Sequence, residues 1–105
     1  MTLVVIESPY SGKYREANIA YARRALRDSI DRGEAPFASH LLYPQVLDDT
    51  KRKLRRLGLS RAFLWYEQAE LMAVYMDLGT SAGMTEGLQV ARKLGLPVER
   101  RWLDK

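Results

Sequence analysis

Val4-Val5-Ile6-Glu7-Ser8-Pro9-Tyr10-Ser11-Gly12 is the stretch that decides the fold. Val4 to Ile6 is an unbroken apolar, β-branched run inside a segment extending from Thr2 to Glu7. Such runs are typical of strands buried on both faces of a parallel sheet. Serine, proline and glycine then end the run with turn chemistry. From about Lys13 to Arg32 the period changes to that of a helix. Ala17, Ala20, Tyr21, Ala25 and Ile30 fall near one face, with charges between them. Gly33 stops the helix, as glycine does just past a helix end.

The same alternation continues outward. Pro36 to Ser39 reads as a short second strand, and His40 to Pro44 as the loop beyond it. Asp48-Asp49-Thr50 supplies capping groups for a helix running to about Leu57, ended by Gly58. Ser60 begins a second helical piece through Phe63, Tyr66 and Ala69. Ala62 to Tyr66 is aromatic-rich, so a strand is the alternative there. Leu71 to Met76 is the third strand, Asp77 to Gly83 a glycine-bearing loop, and Thr85 to Leu94 a helix with Leu88, Ala91 and Leu94 on one side. Gly95 and Pro97 precede a last strand, Val98 to Trp102.

The order β-α-β-αα-β-α-β predicts one α/β domain over residues 1–105, with a parallel sheet of about four strands and right-handed crossovers. Open parallel sheets bind ligands beyond the carboxyl ends of their strands. The Ser8–Gly12, His40 and Asp77–Gly83 loops all fall there.

Composition removes several chemistries. There is no cysteine, so no disulfide, thiolate metal site or cysteine nucleophile. A single histidine, His40, rules out a histidine-rich metal site, and no clustered carboxylates ask for Mg²⁺; no metal and no cofactor are expected. No apolar stretch approaches the ~18–20 residues of a membrane span. The N-terminal segment lacks the pattern of a signal peptide, so a cytoplasmic location is expected. Small size makes a homodimer or higher oligomer an expected source of stability. The net charge of +4 comes from Arg23/Arg24, Lys51 to Arg56 and Arg100/Arg101. This balance favours phosphate-bearing partners, although solvated helix faces explain most such charge. Nucleic acid is an unlikely partner, because the basic run carries no interleaved aromatics or known reading motif. Trp65, Tyr66, Tyr75 and Trp102 are expected in the core or at a subunit interface.

The loops carry the candidate site. Gly79 and Gly83 permit positive φ and close ligand approach, while Thr80 and Ser81 offer hydroxyls. The following helix start suits an anion. Glu86, expected in the first helical turn, is either a residue favourable to the helix dipole or a nucleophile toward an anomeric carbon. Ser8, Tyr10, Ser11 and Gly12 offer hydroxyls, amides and an aromatic face to a nucleoside, without a dinucleotide or Walker fingerprint. His40 is a base contact, an acid/base group or polar surface. Asp77 either accepts from a sugar or base, or opens its loop as an Asx turn.

These residues resemble the nucleoside 2-deoxyribosyltransferase-like superfamily, in particular its short phage and bacterial branch. The resemblance rests on Ser8-Pro9-Tyr10-Ser11-Gly12 with Asn18, on Gly33 to Tyr43, and on Ser81-x-Gly83-x-x-Glu86 followed by Ala91, Gly95 and Pro97-Val98. It implies a flavodoxin-like three-layer domain, assembled as a homo-oligomer, in a bacterial or phage-infected cell. It implies cleavage or exchange of the N-glycosidic bond of a (deoxy)nucleoside or its monophosphate. Glu86 would then be the nucleophile, Asp77 and Tyr10 its assistants, Ser11 and Gly12 sugar contacts, and Ser81 a phosphate contact. The glycine-to-glutamate spacing is three here, where well-characterised members often have four and an extra aspartate before the glycine. Two other readings stand beside the enzyme: a binding module for a nucleotide-derived ligand, and a basic accessory protein for nucleic acid.

Overall fold

The computed structural model describes residues 1–104 and contains four strands and three helices. The strands are β1 (Leu3–Glu7), β2 (Ala35–Phe37), β3 (Leu71–Tyr75) and β4 (Val98–Arg101). The helices are α1 (Arg15–Asp31), α2 (Arg52–Tyr66) and α3 (Ala82–Leu94), with short 3₁₀ turns at Ser39–Leu41 and Tyr43–Gln45. All pairings are parallel and the strand order is β2-β1-β3-β4. The chain leaves β1 in one direction to build β2 and passes to the other side for β3. The order therefore reverses between β1 and β3, which opens a crevice at their carboxyl ends.

Strand alternation divides the core in two. Val4 and Ile6 of β1 and Ala73 and Tyr75 of β3 pack against Tyr21 and Ala25 of α1. Val5, Met72 and Val74 face the other way, against Ala62 and Tyr66 of α2 and Met84 and Ala91 of α3. This is a three-layer, flavodoxin-like arrangement: the parallel sheet follows from the pattern of the chain, and the flavodoxin-like form is what the resemblance implies.

Several local expectations are corrected. α2 runs unbroken through Gly58 instead of ending there; the helical reading of Ser60 to Tyr66 holds and the strand alternative falls. Gly58 is buried, and a Cβ there would meet Tyr43 Cβ at 3.5 Å and Leu47 Cδ1 at 3.6 Å. It packs beside the Tyr43–Gln45 turn within α2 instead of ending the helix. Asp48 does not cap α2, whose N-cap is Lys51. It closes a local turn by accepting from Thr50 N at 3.1 Å and Thr50 Oγ1 at 2.6 Å. β2 ends at Phe37, and Ser39 already belongs to a 3₁₀ turn.

α3 begins at Ala82, three residues earlier than expected, because Ser81 is its N-cap and its Oγ accepts from Met84 N at 3.3 Å. Gly83 therefore lies inside the helix without positive φ, whereas Gly79 has φ 81°. Glu86 falls in the second turn of α3, not the first. Arg101, expected among the solvated charges, is buried. Among the described residues no helix is long and apolar enough to cross a membrane, and no cluster of three or more potential metal ligands occurs.

Candidate ligand-binding site

A hollow opens at the switch point. Its walls come from the loop after β1 (Ser8, Tyr10, Ser11), the 3₁₀ turns after β2 (Ser39, His40, Tyr43), α2 (Arg55, Gly58, Tyr66) and the start of α3 (Ser81, Gly83, Met84). The loop after β1 is held in place from α1. Asn18 is buried and donates its amide to the Tyr10 carbonyl oxygen at 3.1 Å. Arg15 lies over the Tyr10 ring, 5.1 Å from its centroid, and pairs with Asp49 at 2.6 Å. Tyr10 and His40 meet edge to face, with centroids 6.2 Å apart. Ser8 Oγ and His40 Nε2 share a hydrogen bond of 2.7 Å.

The floor of the hollow is uncharged at neutral pH. Burial holds His40 down to about 4, so its ring is neutral and is not the near-neutral acid/base group the sequence suggested. Burial also pushes Glu7 up to about 8, against the smaller opposing effect of the Tyr66 hydroxyl donated to Oε2. Sequence reading missed Glu7, treating it as the end of a strand. The available signal was period two: Glu7 shares the inward face of Val5 and sits at the carboxyl end of the central strand.

Charge in the lining comes from Asp49, which pairs with Arg15, and from Arg55. Arg55 lines the hollow, and its Nη2 lies 3.3 Å from where a Gly83 Cβ would stand. Arg55 makes no ion pair among the described residues. The start of α3 beside it leaves the amides of Ala82 and Gly83 without helical partners.

Ser8, Tyr10, Ser11, His40, Ser81 and Gly83 are thus brought together. Gly12, Gly79, Asp77 and Glu86 do not line the hollow. Asp77 turns toward α1 and the chain end, accepting from the Tyr21 hydroxyl, Leu103 N at 2.8 Å and Asp104 N at 2.9 Å. The Tyr21 hydrogen bond is the main reason its carboxyl is held down to about 2. Glu86 pairs with Arg56 at 2.5 Å in a shallow groove that shares Asp49 and Arg55 with the hollow. The adjoining Gly87 sits against Glu7: a Cβ there would come within 2.7 Å of Glu7 Cδ.

Fold and site together define a doubly wound α/β domain with a neutral, hydroxyl-rich hollow at its strand-order switch. Residues 2–101 match the model of the family described as Domain of unknown function (DUF7768), and the chain belongs to that family. No curated protein matches it significantly. Among solved structures, a 2-deoxyribosyltransferase from the psychrotolerant bacterium Bacillus psychrosaccharolyticus is similar in fold. The TM-score is 0.67 at 17% identity, covering 95% of this chain and 72% of that one. The domain accordingly has a 2-deoxyribosyltransferase-like fold.

Proposed function

We propose that the hollow binds a nucleoside 5′-monophosphate or a close relative. The observation that carries this reading is the division of the site into an uncharged, hydroxyl- and ring-lined floor and a single unpaired guanidinium, Arg55, beside a helix start at the mouth. Tyr10, His40 and Tyr43 offer ring surfaces to a base. Ser8, Ser11 and Ser39 offer hydroxyls to a sugar. Arg55, the α3 amides and Ser81 suit a phosphate.

Arg55→Ala is expected to weaken binding of deoxynucleoside monophosphates by about 10–100-fold, the worth of a hydrogen bond to a charged group at ~1.5–3 kcal/mol. Binding of the corresponding nucleosides should change far less. Calorimetric titration of both ligand sets checks this, and equal losses for the two would remove Arg55 from the phosphate role.

A second reading makes the bound nucleotide a substrate for N-glycosidic cleavage or transfer. The fold shared with a 2-deoxyribosyltransferase favours it, as does the place of Glu86 in a groove adjoining the hollow. In this reading Glu86 leaves Arg56 and attacks C1′ as the bond from C1′ to the base breaks, Tyr10 orients the sugar, and water or a second base then displaces Glu86. Incubation with the set of deoxynucleoside monophosphates should then release free base, and Glu86→Ala should abolish release while leaving affinity intact. Binding without any release would leave the domain a ligand-binding module.

A further inference from the structure

We propose that Glu7 is a ligand-contacting residue of the hollow, acting as an uncharged carboxylic acid that gives one hydrogen bond to the edge of a heteroaromatic base and takes another from it. The inference rests on the nucleotide-binding reading and adds to it the residue that meets the base.

Four observations converge on Glu7. It is the last residue of β1, beside the strand-order switch, and it lines the hollow while being almost wholly enclosed. No cation pairs with it among the described residues. Its Oε2 accepts from the Tyr66 hydroxyl, and Tyr66 is itself bonded to the Ser39 side chain, another lining residue. Gly87 leaves a gap on α3 that the Glu7 carboxyl fills. A leucine at this position would extend the apolar cluster of Val5, Met72 and Val74. An acid without a counter-ion costs stability there instead.

A protonated carboxyl carries one O–H donor and keeps acceptor lone pairs, whereas a carboxylate only accepts. The neutral form therefore matches a flat edge that sets one acceptor beside one donor, such as the ring nitrogen and amino group of cytosine or adenine. Burial keeps the acid protonated up to about pH 8. Neither His40 nor Tyr66, which face it, changes charge between about pH 7 and about pH 9.5. His40, through Ser8, titrates near 4, and burial raises Tyr66 well above its ordinary range. Arg55, Tyr10 and the Asp49–Arg15 pair complete the polar surroundings.

The test is calorimetric titration of dCMP and dAMP against the wild type from about pH 7 to about pH 9.5. Neither base titrates in that range, and a phosphomonoester with its second pKa near ~6 is already fully charged. Affinity is expected to hold to about pH 7.5 and then fall, approaching about tenfold per pH unit above 8. Glu7→Gln keeps a neutral donor and acceptor. It is expected to bind within about threefold of the wild type near pH 7 and to lack the alkaline loss. A wild-type affinity that is flat to about pH 9.5 overturns the inference and leaves the nucleotide reading standing. So does a loss of about tenfold or more in Glu7→Gln near pH 7, which would mean that the ligand needs a carboxylate. Failure of both probes to bind at every pH overturns the nucleotide reading and, with it, this one.

Discussion

Replacing Arg101 with methionine is expected to lower the unfolding free energy by about 3–5 kcal/mol, the usual loss when one partner of a buried ion pair is removed. The Arg101 side chain is 2% exposed. Its guanidinium holds both Glu34 oxygens, at 2.8 and 2.7 Å, and reaches Glu99 at 3.1 Å and the Tyr75 hydroxyl at 3.1 Å. Arg101 is the main reason that the Glu34 carboxyl is held below its ordinary range. Without Arg101, Glu34 remains largely enclosed with only the Ser29 hydroxyl and the charge of Arg32 to offset it. Glu34→Gln added to Arg101→Met should therefore cost less than the two single changes summed. Urea unfolding at neutral pH measures all three variants. A loss under about 1 kcal/mol for Arg101→Met would show that the network contributes little to holding β4.

The second large effect is a stability difference that grows with pH. Glu7 is buried, and burial pushes its carboxyl from the ordinary 4.5 up to about 8 in the folded chain. A raised folded value means that the native state holds the proton more tightly. The Glu7 contribution to stability is therefore largest below about 4.5, falls as pH rises through the interval, and levels off above about 8. At 1.36 kcal/mol for each pH unit across that interval, the full loss is roughly 5 kcal/mol. Glu7→Gln should escape it, so that the variant matches the wild type near pH 5 and exceeds it by several kcal/mol near pH 9. His40, with its lowered value, produces the opposite slope in the acid range, but it does so in both proteins and cancels in the difference. Parallel stability curves for the two proteins across this range would show that Glu7 ionises at its ordinary value.

The architecture was legible because it follows from periodicity. The β-branched run at Val4–Ile6, the helical spacing around Tyr21 and Ala25, and the return to strand at Leu71 each state which faces are buried. The rim where ligand meets protein was legible for the same reason. Loops after parallel strands converge there whatever their composition, and Tyr10, Ser8, Ser11, His40 and Ser81 do line one hollow. Partners distant in sequence were not legible. Arg101 looked like one more surface cation, since nothing in Val98–Arg101 reveals a carboxylate 67 positions earlier. Asp77 and Glu86 stand beside the right loops, but the direction of a side chain depends on what competes for it. Tyr21 and the backbone at Leu103 and Asp104 take Asp77, and Arg56 takes Glu86. Gly58 showed the reverse error: a residue that often ends a helix sits buried inside one, against a neighbouring turn.

Because α3 yields space at Gly87 to a carboxyl from the first strand, positions 7 and 87 are not free to drift separately. A chain of this architecture that places any larger residue at 87 has to shorten residue 7 or turn it elsewhere. Across homologous sequences, acid at the first site and glycine at the second should therefore travel as a linked pair. Chains in which the pair is broken would have a differently shaped floor beneath the same rim.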